Sequence, residues 1–374
     1  MQTLKSPFPV NGYHGPEYFC DRENEIRQLA TYIEGQIPCV LLGIRRMGKT
    51  GLIRQLMQQL KISGIYVDLD GTTSLQDLTT RLADGIGRHF PEQKYSGIWK
   101  ALKGFRPSVS FDPLTGGPQF SFNFQSGDEV KQTLQGLLSL LNERKKPVLL
   151  VLDEFQEIRS YSEENTEGTL RSEMQQFTNL RYLFSGSKKS VLGNMLQKGS
   201  SPFFSNLGKL HLQQLPREIY CQFIFQKFQQ NKKNISEQQV EELVNWTETH
   251  TYYTQFVFNQ LFLLSGKRVV QKDIDFLKWQ ILQASREDYL QIKNLISSGS
   301  FKLLIAIGKE KEMYKPYSMD HVKNYGLGTP NGTKKALNAL LENQLVNEFY
   351  DYNEEKYYKL SDVFLMRYIQ SLKR

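Results

Sequence analysis

Gly43-Ile44-Arg45-Arg46-Met47-Gly48-Lys49-Thr50 satisfies the pattern G-x-x-x-x-G-K-[ST] at every fixed position, and Gly51 follows it. Glycines let a chain curl until successive backbone N–H groups point inward at a β-phosphate. A lysine at this place reaches the β/γ oxygens, and the next hydroxyl is set for Mg2+. The positive end of the helix that must follow adds to the field. Farther along, Val148-Leu149-Leu150-Val151-Leu152-Asp153-Glu154-Phe155 reads as a buried parallel strand delivering two carboxylates at its C-terminal edge, where open α/β sheets bind ligands. Asp153 would join Thr50 in holding Mg2+, directly or through water, and Glu154 would polarise the water that attacks a γ-phosphate. Ser185-Gly186-Ser187 ends another strand, where Ser187 would contact that phosphate or water beside Lys49 and Glu154. The structural alternatives are an acidic strand cap for the first pair and an ordinary turn for the serines.

The elements around these residues have the rhythm of a parallel α/β sheet. Residues 38–44 form an apolar strand, 49–60 a helix with Leu52, Ile53, Leu56, Met57 and Leu60 on one face, and 64–70 a second strand. An earlier helix opens after Asp21, a good N-cap residue, with Ile26, Leu29, Ala30 and Ile33 at helical spacing. Residues 91–127 interrupt the rhythm; the alternation around 109–111 and 120–124 reads as an inserted β-hairpin. The expected organisation is a P-loop core over 1–215, an all-α lid over 216–290 and a winged helix over 291–374, the last from three helices and two strands about the turn at 352–355.

Composition narrows the class. With 374 residues, 39% hydrophobic, there is material for two or three cored domains. The longest apolar run is strand-sized and spans no membrane, and the first ten residues lack the pattern of a signal peptide. Cys20, Cys39 and Cys221 have no metal-ligand spacing and read as inert thiols, so the expected compartment is the cytoplasm. The net charge of +8 is split evenly between residues 1–150 and 291–374, a bias that permits a polyanion without demanding one.

With these residues in place the chain resembles the archaeal-type ATPases of the STAND class, relatives of the AAA+ ATPases and the Orc/Cdc6 initiators. The resemblance rests on Phe19-Cys20-Asp21-Arg22-Glu23, the phosphate loop with its two arginines, the Asp153-Glu154-Phe155-Gln156 strand end, Ser185-Gly186-Ser187, and the lid with its winged helix. It implies ATP or ADP as the ligand, with Mg2+, and places Phe19 and Arg22 near adenine and ribose. Arg45 and Arg46 would bind phosphate or brace an acidic neighbour. The stretch Thr247-Glu248-Thr249-His250-Thr251-Tyr252-Tyr253 is similar to a family Thr-Gly-Gly-His-Pro-Tyr-Tyr segment whose histidine reaches the nucleotide phosphates; the alternative is a histidine capping a helix. Both glycines and the proline are replaced here. Asn206 stands where many relatives carry an arginine suited to neutralising a γ-phosphate, which implies slow turnover.

In the helix over 333–343, Ala336, Leu337, Leu340 and Leu341 would face a core, while Thr333, Lys334, Lys335 and Asn338 would face outward toward double-stranded DNA. Asp351, Glu354 and Glu355 in the wing turn favour a protein partner instead. Three readings follow: a nucleotide-controlled switch with slow Mg2+-ATP hydrolysis, a DNA-binding regulator in which nucleotide is structural, and a partner-binding scaffold in defence or toxin control. Oligomeric state is not legible.

Overall fold

The computed structural model describes residues 6–90, 108–111, 118–163, 165–187 and 207–372. It divides into two compact units, one over Gly12–Gln213 and one formed by the N-terminal residues to Asn11 together with Gln214 onward.

In the first unit, α1 (Glu23–Glu34) leads to β1 (Cys39–Leu42), α2 (Lys49–Leu60), β2 (Ser63–Asp68) and α3 (Leu75–His89). The hairpin strands β3 (Ser108–Phe111) and β4 (Pro118–Ser121) follow, then α4 (Gly127–Asn142), β5 (Val148–Asp153), α5 (Thr166–Gln176), β6 (Leu180–Gly186) and β7 (Gly208–His211). The five-stranded sheet has the order β2-β5-β6-β1-β7, all neighbours parallel. Parallel strands covered on both faces read as unbroken apolar runs, and β1 and β5 are buried at every position. Val40, Leu42, Leu150 and Leu152 pack under α3 and α4, while Cys39, Leu41, Leu149 and Val151 pack under α1 and α2. Placing β6 between the strands that carry the two motifs brings Gly186 level with Leu42, and β2 brings Asp68 level with Asp153.

The hairpin is antiparallel and docks on α3: the Phe120 amide donates to Asp84 Oδ1 at 2.7 Å, and Phe120 and Phe122 enter the core. A Cβ on Gly87 would come within 2.8 Å of both Phe120 and Pro118, so the close approach needs glycine. The sequence of residues 191–197 reads as a helix; these residues and Asn206 lie outside the described residues. One expectation is corrected at α1. Asp21 is not its N-cap; Arg22 is, and Asp21 and Arg22 are both left-handed, with φ of 55° and 75°. Burying Arg22 fixes this entry: it is 5% exposed, pairs with Glu25 at 2.7 Å and donates to the Gln213 carbonyl at 2.7 Å.

In the second unit, α6 (Arg217–Gln230), α7 (Glu237–Trp246), α8 (Thr251–Leu264) and α9 (Gln271–Leu295) form the helical part. The winged helix comprises α10 (Ser298–Glu310), β8 (Met313–Tyr314), α11 (Met319–Asn324), α12 (Pro330–Glu342), β9 (Val346–Tyr350), β10 (Lys356–Leu360) and α13 (Val363–Ser371). Its sheet has the order β8-β10-β9. The position 290/291, expected to separate lid from winged helix, falls inside the unbroken 25 residues of α9. Tyr253 of α8 belongs to the winged-helix core, its ring 4.7 Å from that of Phe364. Glu248 bridges the two parts: its carboxylate accepts from Arg367 and, at 2.9 Å, pairs with Lys311. Arg367 also donates to the last carbonyls of α7, Trp246 at 2.8 Å and Asn245 at 3.0 Å.

Thr333 is a second correction. It is 1% exposed rather than outward-facing, because the helix begins at Pro330 under a Thr329 cap and the Thr333 hydroxyl turns back to the Thr329 carbonyl at 2.9 Å. Lys334, Lys335 and Asn338 are exposed. Among the described residues no helix is long and apolar enough to cross a membrane.

Candidate nucleotide-binding site

The loop between β1 and α2 closes on itself. Gly48 is the N-cap of α2 at φ 90°, a backbone that side chains rarely adopt, and Gly43 has no room for a Cβ, which would lie 3.0 Å from that of Leu212. The first bond within α2 runs from the Leu52 amide to the Gly48 carbonyl at 2.9 Å. The Lys49, Thr50 and Gly51 amides precede it, as the donors of an anion-binding helix N-terminus do. Lys49 is 6% exposed and donates to the Gly43 carbonyl at 2.9 Å and the Ile44 carbonyl at 3.3 Å. Burial lowers its ammonium from the ordinary value; Glu154 and Asp153 pull it up, and Arg45 opposes them. Met47 is buried and anchors the loop among Leu52 and Ile53. The tip is exposed: Arg46 is left-handed at φ 64°, and Arg45 lies 3.9 Å from Asp70, largely in solvent.

At the end of β5 the two carboxylates take different surroundings. Asp153 is 7% exposed; its Oδ1 accepts the Glu154 amide at 3.0 Å and its Oδ2 accepts from the Tyr66 hydroxyl. Tyr66 also lies 3.3 Å from Thr50 Oγ1. Burial, and then the Asp153 charge, raise the Tyr66 phenol well above its ordinary range, so it stays a donor. Glu154 turns left-handed at φ 49°. Its Oε2 accepts the Ser187 hydroxyl at 2.7 Å, the Ser187 amide at 3.3 Å and the Gln156 side-chain amide. Burial raises this carboxyl, but the bonds from Gln156 and Ser187, with the Lys49 charge, outweigh it and hold Glu154 below its ordinary value. Asp68 moves the other way, raised by burial and by the charge of Asp153 against the Asp70 amide.

The structure therefore brings Lys49, Thr50, Asp153, Glu154 and Ser187 together at the carboxyl edge of the sheet. Phe19 packs on the same helix, its ring 3.6 Å from where a Cβ of Gly51 would stand. Arg22 is spent on Glu25 and Gln213. His250 belongs to the second unit, where it is buried at the N-cap of α8, makes no side-chain cap bond, and stacks edge-on against Tyr253 at 4.8 Å. The residues that sequence reasoning missed are Tyr66 and Gln156. The signal for Tyr66 was its place two residues before Asp68, on the same face of a strand ending beside Asp153; Gln156 stood in the quoted strand-end motif without a role.

Comparison with known proteins places the chain among ATPase domains. Residues 19–255 match the family described as an ATPase domain predominantly from Archaea, and residues 287–371 match a probable winged helix domain. No curated protein matches the chain. Among solved structures it is similar to the Walker-type ATPase PABY2304 of Pyrococcus abyssi, at 18% identity over 97% of this chain and 99% of that one, with a TM-score of 0.67. It is also similar to the Aeropyrum pernix ORC2 protein in its ADPNP-ADP complexes, at 14% identity, 98% and 97% coverage and a TM-score of 0.62. For the Aeropyrum pernix ORC1 protein in complex with DNA the figures are 12%, 99% and 97%, and 0.52. These likenesses are of fold, an Orc/Cdc6-like P-loop architecture. The chain belongs to the family of ATPase domains found predominantly in Archaea, and carries a winged helix behind that domain.

Proposed function

We propose that the protein is a nucleotide-controlled switch of the STAND type that binds ATP and hydrolyses it slowly with Mg2+. The observation that carries this reading is the Glu154 carboxylate, ionised and aimed by Ser187 and Gln156, on the strand edge that also presents Lys49 and Asp153. In the mechanism, the amides of residues 48–51 hold the β-phosphate while Lys49 gives up its loop carbonyls to reach the β/γ oxygens. Glu154 orients a water toward the γ-phosphate and accepts its proton, with Ser187 fixing the rotamer of the carboxylate. The oxygens of Thr50 and Asp153, both in reach of one phenol, suit a hard cation, which when bound neutralises charge on the phosphates.

The winged helix is the output, toward DNA or a protein partner. Lys334, Lys335 and Asn338 on the open face of α12 suit a phosphate backbone. The wing acids are less of an obstacle than their number implies. Asp351 accepts the amides of Asn353 and Glu355 at 2.9 Å, and Glu355 pairs with Lys315 at 3.2 Å. The ORC1 protein, similar in fold, is described in complex with DNA.

Steady-state ATP hydrolysis with and without duplex DNA, beside Glu154→Gln, tests the reading. Turnover that DNA stimulates and the variant loses supports it. Hydrolysis at the wild-type rate in Glu154→Gln removes Glu154 from the mechanism.

A further inference from the structure

Tyr66 has no part in the hydrolysis mechanism, yet it touches two of its residues. Its Cα pairs with Val151 across β2 and β5, and since alternate residues of a strand share a face, Tyr66 and Asp153 project to the same side of the sheet. The phenol donates to Asp153 Oδ2 and lies 3.3 Å from Thr50 Oγ1, so one hydroxyl joins both oxygen donors that the site offers a cation. The second Asp153 oxygen already accepts the Glu154 amide at 3.0 Å. Each oxygen of the carboxylate thus already accepts from one protein donor. The ring cannot drift freely, because the Arg54 guanidinium lies over it, 5.0 Å from its centre. Arg54 is one helical turn beyond Thr50 on α2, so the same helix supplies the hydroxyl's partner and the ring's cover.

We propose that Tyr66 gates the metal position: its hydroxyl ties Thr50 to Asp153 and must be displaced before both oxygens can serve a divalent cation. The gate rests on the nucleotide reading above. A cation competing with this phenol binds only the fraction of molecules in which the phenol has moved, so its apparent affinity falls by that fraction. A hydrogen bond to a charged carboxylate is strong enough to make the reduction about tenfold or more.

The test is binding of a fluorescent ADP analogue to the full chain, in EDTA and across a Mg2+ series, for wild type and Tyr66→Phe. Phenylalanine keeps the ring under Arg54 and removes only the hydroxyl. The expected result is a half-saturating Mg2+ concentration about tenfold lower in Tyr66→Phe, with affinity in EDTA unchanged. An unchanged midpoint overturns the gate, and so does a higher one, which would make the hydroxyl a support for Asp153 rather than a competitor. Two controls separate this failure from that of the underlying reading. If Lys49→Ala binds the analogue as wild type does, the nucleotide site is wrong and the gate falls with it. If Thr50→Ala leaves the Mg2+ dependence unmoved, the metal position is wrong. With both controls as expected, the Tyr66→Phe midpoint judges the gate alone.

Discussion

The Ser187 hydroxyl and the Ser187 amide donate to the same Glu154 oxygen, at 2.7 and 3.3 Å. One residue at the end of β6 thus grips the carboxylate at the end of β5 with both of its donors, and the grip favours the ionised form. A carboxylate that orients water must be ionised, so activity should persist down to the depressed Glu154 value and fall as pH drops through it. Ser187→Ala removes the side-chain bond and should move the acid limb of the kcat profile to higher pH, with nucleotide affinity little changed. An acid limb that stays in place in Ser187→Ala would show that Glu154 does not set it.

Lys49 is held by two loop carbonyls in a buried position, which pre-forms the loop around the place its ammonium must reach. Lys49→Ala loses charge-assisted bonds to the β- and γ-phosphates and should weaken binding of a non-hydrolysable ATP analogue roughly 100-fold. Calorimetric titration checks this, and circular dichroism should show the fold intact. Equal dissociation constants for the two proteins would remove the loop from nucleotide binding.

Arg367 should matter for stability rather than for chemistry. It pairs with Glu248, and both side chains are largely buried, at 14% and 16% exposure. Arg367→Met strands part of the Glu248 charge and uncaps α7, and should cost about 2–3 kcal/mol in the unfolding of the second unit. Urea denaturation in a Trp99→Phe background, followed by the fluorescence of Trp246 and Trp279, measures it. A double-mutant cycle with Glu248→Gln isolates the pair; a coupling near zero would mean that the carbonyl bonds of Arg367 carry the effect.

For the winged helix, Lys334→Glu and Lys335→Glu should each weaken duplex binding uniformly across sequences and lower the salt slope by about 1 for each DNA phosphate that is no longer neutralised. Salt-titrated anisotropy reads both quantities. Binding unaltered in the double variant would shift the output of α12 from DNA to a protein.

Local chemistry explains which parts of the site were legible in the sequence. The phosphate loop is contiguous, and its glycines, lysine and threonine are each required by the backbone beside them. Glu154 was legible because a fully apolar strand can only run through the middle of a sheet and must release its first carboxylates at the edge. Tyr66 was not, because its partner lies on another strand and the register that joins them is a property of the assembled sheet. Arg22 takes its expected place beside the ligand from resemblance alone; its pair with Glu25 is a local i,i+3 contact, whereas its bond to the Gln213 carbonyl depends on the assembled fold. Thr333 was misplaced by a helical wheel that treated hydroxyl and lysine alike, although a threonine can satisfy itself on the preceding turn and bury its methyl. β8, two residues long, fell below the length at which a pattern can be read.

The unbroken α9 carries a mechanical consequence. At 1.5 Å per residue a helix of 25 residues is a strut about 37 Å long, stiff in torsion because every turn is locked to the next. A twist imposed where it leaves the helical part is passed along its continuous backbone toward the winged helix. The bonds from Arg367 to Glu248 and to the end of α7 pin the same two parts together at a second place. Held at two points, the winged helix is placed to follow the helical part when that part turns.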